Sequence, residues 1–150
     1  GDIAFMKINI KKLNESAKLP ERGSAYAAGY DLFANIDEEL QINPHETKMI
    51  GTGLSVEIPE GYFGGIFARS GLSSKEGLRP ANCTGVVDSD YRGEVKVALH
   101  NDSEVVRTIT KDEKIAQLVV VPFLSIEFNE VDELSDTSRG EGGFGSTGKH

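Results

Sequence analysis

Glu94-Val95-Lys96-Val97 alternates polar and apolar residues, and this two-residue period decides the fold class. The same alternation occurs in Lys7-Ile8-Asn9-Ile10-Lys11 and in Ser55-Val56-Glu57-Ile58. Successive side chains of a β-strand point to opposite faces, so each stretch predicts a strand with one buried face. Glycine and proline separate these runs at short intervals: Gly51, Gly53, Pro59, Gly61, Gly93 and Pro122. Many short strands separated by such residues predict an all-β sandwich or barrel.

Helix signals are scarce, and the chain divides into a body and a tail. Ser70 to Gly77 predicts one helix of about two turns, because a serine starts it and a glycine ends it. Residues 1–134 are predicted to form one β-domain, since 150 residues suffice for a single core. Residues 135–150 form a glycine-rich C-terminal tail with one large apolar side chain, Phe144, which predicts a flexible segment.

Charge and cysteine content exclude several classes of function. The net charge of −8 argues against binding to nucleic acid or to an anionic membrane. No apolar stretch is long enough for a membrane span, and no secretory signal is visible. Cys83 is the only cysteine, so it can form no internal disulfide, and we expect it to be a small packed side chain. These features predict a cytoplasmic protein, or also a nuclear one in a eukaryote.

Two stretches place charge where it could meet a phosphate. Asp31, in Ala28-Gly29-Tyr30-Asp31-Leu32, is a lone acid at an apolar strand start. It could cap backbone amides in a turn, or it could hold water near a cation. Ala68-Arg69-Ser70-Gly71-Leu72-Ser73 puts a guanidinium, a hydroxyl and free amides at one helix start, a combination that suits an anion.

A third stretch, Asn82 to Gly93, combines two strand-like halves with turn residues. It predicts a hairpin with Asp88 and Tyr91 near its bend, whose backbone could read the edge of a pyrimidine. Asp88 could accept a proton from water, or it could simply belong to the turn.

The last two stretches lie towards the C-terminus. Gln117 interrupts the apolar run from Lys114 to Pro122 and needs hydrogen-bond partners, which we expect to be backbone groups. Arg139 to Gly148 offers a charge, close backbone approach at its glycines and a stacking ring at Phe144. It lacks the Gly-Lys-Ser/Thr ending of a P-loop.

In this order, the five stretches resemble the five motifs of the trimeric deoxyuridine triphosphatase (dUTPase) family. The resemblance covers the chain from about Met6 to Gly148. It implies a jelly-roll-like β fold and a homotrimer, with the C-terminal tail exchanged between subunits to close sites at their boundaries. It implies an enzyme that hydrolyses dUTP to dUMP and pyrophosphate with Mg²⁺ and water, which keeps uracil out of DNA and supplies dUMP for thymidylate.

The resemblance also implies a role for each matching residue. Asp88 would activate the water, with Gln117 and Ser70 beside it in catalysis, and the ring of Tyr91 would exclude a 2′-hydroxyl. Asp31 would support the metal through water. The remaining substrate-binding positions form three groups. The base would contact Asn82, Gly85, Val86, Val87 and the backbone of Lys96; the phosphates would contact Arg69, Ser70, Gly71 and Gln117; and the tail would supply Arg139, Phe144, Gly145, Ser146 and Thr147.

One segment departs from the family pattern, and two other functions stay open. The family usually has Gly, an acidic or polar residue and Arg before the isoleucine, where this chain has Asp112, Glu113 and Lys114. We interpret the change as an altered turn rather than a lost catalytic group. A dCTP deaminase-type relative is one alternative function, and a non-catalytic binding module is the other.

Overall fold

The computed structural model describes residues 5–145, and in this range the chain is mostly β with one short helix. The helix, α1, is Ser70–Glu76. The strands are β1 (Ile10–Lys12), β2 (Glu21–Arg22), β3 (Tyr30–Phe33), β4 (Leu40–Ile42), β5 (Thr47–Gly51), β6 (Leu54–Val56), β7 (Tyr62–Phe67), β8 (Leu78–Pro80), β9 (Gly85–Val87), β10 (Lys96–Asn101), β11 (Arg107–Ile109) and β12 (Lys114–Pro122).

The strands form four antiparallel sheets around one core, in a jelly-roll-like arrangement. The largest sheet has the order β2-β3-β12-β7-β9, and a second has the order β5-β10-β8. Two strand pairs, β1-β6 and β4-β11, complete the described fold. Strand β12 lies at the centre of the largest sheet, which places Gln117 directly between Asp31 of β3 and Phe67 of β7.

Burial follows the two-residue period that the sequence predicted. Val95, Val97 and Leu99 are buried, while Lys96 between them is exposed. Val56 and Ile58 are buried on either side of the exposed Glu57 in the same way. The buried aliphatic side chains of all these strands meet in one cluster, so the predicted all-β architecture is confirmed.

The predicted helix is confirmed within one residue. It ends at Glu76, and Gly77 follows as its C-cap with φ 72°, a left-handed conformation that glycine adopts without steric cost. The N-cap is Arg69, whose backbone is extended and whose side chain makes no capping bond.

Two local expectations are wrong. The segment around Asp88 is not a hairpin, because β9 pairs with β7 while β10 pairs with β5 and β8. The chain therefore crosses from one sheet to another between Val87 and Lys96. Cys83 is exposed rather than packed, because it occupies a turn with φ 63° instead of a strand.

After β12 the described chain, residues 123–145, contains neither helix nor strand. Its side chains are largely exposed, with Leu124 at 85%, Phe128 at 89% and Leu134 at 87%. Among residues 5–145 there is also no helix with the length and hydropathy of a membrane span.

Candidate active site

Strand β9 and the loop after it form one wall of a cavity of 310 Å³. Seven residues predicted to bind base and sugar line it: Asn82, Gly85, Val86, Val87, Asp88, Tyr91 and Lys96. These residues line one cavity although β9 and β10 belong to different sheets, because the loop that connects the two strands also lines it.

The edge position of β9 leaves backbone groups available inside this cavity. Gly85, Val86 and Val87 pair with β7 on one side, and β9 is the last strand of its sheet. The outward N–H and C=O groups of an edge strand have no ladder partner, so they can bind a planar heterocycle that carries both donors and acceptors.

Asp88 and Tyr91 both line the cavity, but only the Tyr91 side chain has a hydrogen-bond partner among the described residues. Asp88 is exposed, and its carboxylate has no hydrogen bond or ion pair within residues 5–145, so it can accept a proton from water. The ring of Tyr91 lies against Gly93, where a side chain would collide with it, and its hydroxyl donates to the carbonyl of Glu94 at 2.8 Å. The ring is thus held in place at the wall of this cavity.

A second cavity, of 230 Å³, contains the residues predicted to bind phosphate and to support a metal. Asp31, Arg69, Ser70, Gly71 and Gln117 all line it. Arg69 donates from Nε to Oδ1 of Asp31 at 3.0 Å, and Nζ of Lys114 lies 3.6 Å from Oδ2. Asp31 therefore orients the guanidinium of Arg69. The terminal amino groups of this guanidinium have no hydrogen-bond partner among the described residues, so an anion can bind to them.

Gln117 is held as the sequence predicted, by a backbone group. Its Nε2 donates to the carbonyl of Ala68 at 2.9 Å, immediately before Arg69. Any side chain at Gly29 would overlap the amide of Gln117, so glycine leaves this amide in its place. The Ser70 hydroxyl makes no capping bond, because Arg69 takes the N-cap position. The Gln117 amide and the Ser70 hydroxyl therefore both belong to residues that line the second cavity.

The departure at Asp112, Glu113 and Lys114 has a simple geometric explanation. Asp112 adopts φ 63°, a conformation that glycine favours and that aspartate tolerates better than most residues. Lys114 keeps a cation beside Asp31. The turn is therefore formed with a different residue, and the positive charge beside the second cavity is retained.

The tail residues predicted to close the site lie apart from both cavities in this chain. Arg139, Phe144 and Gly145 line neither cavity, and Phe144 is fully exposed. Arg139 donates to the carbonyl of Gly142. Ser146 and Thr147 lie outside the described residues. The two cavities share no lining residue, so the predicted site residues form three separate groups in one chain.

The prediction from sequence missed several lining residues. They are Met49, Ile66, Glu94 and Val95 in the first cavity and Gly23, Ala27 and Gly29 in the second. Met49 and Ile66 carry no chemical signal, because an apolar residue in a strand reads as core. Glu94 directly follows Gly93, the last residue of the third motif, and only this adjacency in the sequence could have indicated that Glu94 lines the cavity.

No cluster of three or more potential metal-ligating side chains occurs within residues 5–145. Both carboxylate oxygens of Asp31 face cations, which favours contact with a metal through water rather than direct ligation. An Mg²⁺ ion that keeps several waters and binds mainly to phosphates fits such a site.

Comparison with known proteins agrees with this geometry. The dUTPase family model matches residues 15–148. The deoxyuridine 5′-triphosphate nucleotidohydrolase of Nautilia profundicola is 52% identical over 96% of this chain and 100% of its own length. That of a Hydrogenobaculum species is 48% identical over 95% and 99%.

Solved structures agree as well. The dUTPase of Staphylococcus bacteriophage 80alpha, solved with dUpNHpp, superimposes with a TM-score of 0.87 at 35% identity, over 95% of this chain and 99% of that one. The dUTPase of phage phi11 of S. aureus gives a TM-score of 0.79 at 30% identity, over 88% and 100%. The motifs, the fold and these similarities lead to one conclusion: the chain belongs to the dUTPase family.

Proposed function

We propose that this chain hydrolyses dUTP to dUMP and pyrophosphate by attack of water at the α-phosphate. The observation that carries the proposal is the 310 Å³ cavity, where a free carboxylate, a fixed tyrosine ring and an edge strand face one space. The nucleotidohydrolases of N. profundicola and Hydrogenobaculum carry this substrate in their names, and dUpNHpp, bound to the 80alpha enzyme, is a dUTP analogue.

In the first cavity, the edge of β9 reads uracil and Tyr91 selects the sugar. The N3–H and the two carbonyl groups of uracil complement the outward C=O and N–H groups of Gly85 to Val87, with Asn82 and the backbone of Lys96 beside them. The Tyr91 ring occupies the space of a 2′-hydroxyl, which disfavours ribonucleotides. Asp88 accepts the proton of the attacking water.

In the second group of residues, Arg69, Ser70, Gly71 and Gln117 hold the triphosphate. Attack by water requires the phosphate charges to be neutralised and the electrophile to be fixed in line. When bound to the phosphates, Mg²⁺ would supply further neutralisation, and Asp31 would support it through water. Lys114 and Arg69 keep the Asp31 carboxylate in place.

We also propose that the complete site forms only in a homotrimer. One chain presents the two cavities without a shared lining residue. Residues Leu124, Ile126 and Phe128 alternate with polar residues as in a strand, yet they are exposed and unpaired by any β-ladder of the described chain. Such a segment can bury its apolar face on a neighbouring copy.

The tail then reaches a neighbour's site. Extended, residues 135–148 could span roughly 45 Å, enough to cross a subunit of this size. Phe144 would stack on the base, and Arg139, Gly145, Ser146 and Thr147 would close on the phosphates. The lone thiol, Cys83, is consistent with a reducing cytoplasm as the place of this activity.

Turnover of dUTP with Mg²⁺, followed by pyrophosphate release, tests the activity directly. We expect hydrolysis of dUTP and strong discrimination against UTP and dCTP. Release of ammonia from dCTP would instead identify a deaminase. Tight binding of dUTP without any product would identify a binding module.

Mixed trimers test the exchange of the tail. Asp88→Asn with an intact tail, and a chain truncated after Leu134 with Asp88 intact, should each be nearly inactive. After joint unfolding and refolding, activity should return, because an intact tail can cover an intact Asp88 site. Mixed trimers that form, by mass, and stay inactive would show that each tail serves its own subunit.

A further inference from the structure

We propose that Glu94 is a positioning residue that sets the discrimination between deoxyribose and ribose, acting through Tyr91. This inference rests on the proposed function, since it concerns the sugar pocket of that site. Glu94 lines the first cavity, yet it is not among the residues to which the family resemblance assigns a role. Its backbone and its side chain each make one contact that bears on Tyr91.

The backbone contact fixes the far end of the Tyr91 ring. The hydroxyl of Tyr91 donates to the Glu94 carbonyl at 2.8 Å, and the ring lies over Gly93, which has no side chain to obstruct it. The chain around this carbonyl is neither helix nor strand. The carbonyl belongs to the same planar peptide as the N–H of Val95, which donates to the Leu54 carbonyl at 2.8 Å. The direction of the carbonyl, and with it the position of the ring, therefore depends on this backbone bond and on what anchors Glu94 itself.

The side chain of Glu94 provides a second anchor beside this backbone bond. Its Oε2 accepts the backbone N–H of Gly53 at 3.0 Å, in a partly buried position between β5 and β6. A side chain at Gly51 would overlap the same carboxylate, and Gly53 has φ 70°. The turn between these strands is thus shaped to receive Glu94. A charge-assisted hydrogen bond to a backbone amide is stronger than a neutral one, so it can hold a loop that lacks regular structure.

Because a 2′-hydroxyl is small, a displacement of the Tyr91 ring by about the size of a methyl group would leave room for it. A sterically enforced selection fails as soon as the blocking group can move away. Loss of the Glu94 anchor should therefore admit UTP while leaving the phosphate-binding residues and Asp88 unchanged. General destabilisation would instead lower the turnover of both nucleotides together.

The experiment compares kcat/KM for dUTP and UTP in Glu94→Ala, Glu94→Gln and a control, Glu46→Ala. Glu46 accepts the backbone N–H of Asn43 at 3.0 Å in a turn that lines neither cavity, so its loss removes the same kind of bond elsewhere. We expect the dUTP/UTP ratio to fall about tenfold in Glu94→Ala, the effect of one hydrogen bond to a charged group. The ratio should stay within about threefold of the parent in Glu94→Gln, which keeps an acceptor, and in the control.

Tyr91→Phe keeps the inference testable if Glu94→Ala does not fold. This variant removes only the hydroxyl bond to Glu94 and should lower the ratio by a similar factor, and combining it with Glu94→Ala should add little further loss. An unchanged ratio in Tyr91→Phe, or an equal loss for both nucleotides in Glu94→Ala, overturns the inference but not the proposed function. A parent that hydrolyses neither nucleotide overturns both.

Discussion

Gly29→Ala should disable the phosphate cavity with little loss of stability. A methyl group at this position would overlap Oε1 of Gln117 and lie 2.8 Å from its Cδ, so the Gln117 amide must move. The movement breaks its 2.9 Å bond to the Ala68 carbonyl, next to Arg69. Gly29 has no positive φ, so the backbone itself tolerates alanine. The damage is therefore confined to a side chain that we place on the triphosphate.

The expected magnitudes differ for stability and for activity. Loss of one hydrogen bond costs about 0.5–1.5 kcal/mol, partly offset by about 0.4–1 kcal/mol because alanine restricts the unfolded chain. The melting temperature should therefore fall by no more than about 4 °C. Displacement of a phosphate-binding group by about 1 Å can cost on the order of 10²-fold, so kcat/KM for dUTP should fall about 10- to 100-fold.

The assay measures pyrophosphate release and thermal unfolding for Gly29→Ala, Gln117→Ala and the double variant. The double variant should be no worse than Gln117→Ala, because both changes act on the same amide. Gly23→Ala is the control for unfolding, since a methyl group there meets no atom within 4 Å. Multiplicative losses in the double variant, or parent-like activity of Gly29→Ala, would refute the reasoning.

Three further predictions concern single acids. Asp88→Asn should lower kcat about 10²- to 10⁴-fold with little change in binding of a non-hydrolysable analogue, and near-parent turnover would place the base elsewhere. Asp112→Gly should raise the free energy of unfolding in urea by about 0.5 kcal/mol, because glycine relieves the φ of 63°; destabilisation would show that the turn is unstrained. The pKa of Asp102 is lowered, chiefly by the hydrogen bond from Arg79, so its stabilising contribution is present above about pH 4 and is lost as pH falls through the lower folded pKa. In melting curves against pH, the stability gap between the parent and Asp102→Asn should therefore shrink below about pH 4, whereas a constant gap would contradict this assignment.

The fold class could be predicted because it depends on local patterns, and many of the residues predicted for the site line one of the two cavities. Alternation around Val95 and Val56 specifies a buried face whatever strand lies alongside, and Gly77 ends a helix through its own backbone freedom. The charge and hydrogen-bonding groups of the motif residues could likewise be read from the sequence, because they belong to the residue types themselves. Partners at long sequence separation could not be predicted in this way, as the wrong hairpin around Asp88 demonstrates.

The amino-acid sequence by itself determined the strand content, the short helix, the family and the chemical character of Asp88, Tyr91 and Arg69. Only the tertiary structure decided that β9 is an edge strand, that Lys114 joins Arg69 at Asp31, and that Glu94 reaches Gly53. Each of these depends on segments far apart in the chain that packing alone brings together. A two-residue period records which face of a strand is buried, but it carries no record of what lies opposite that face.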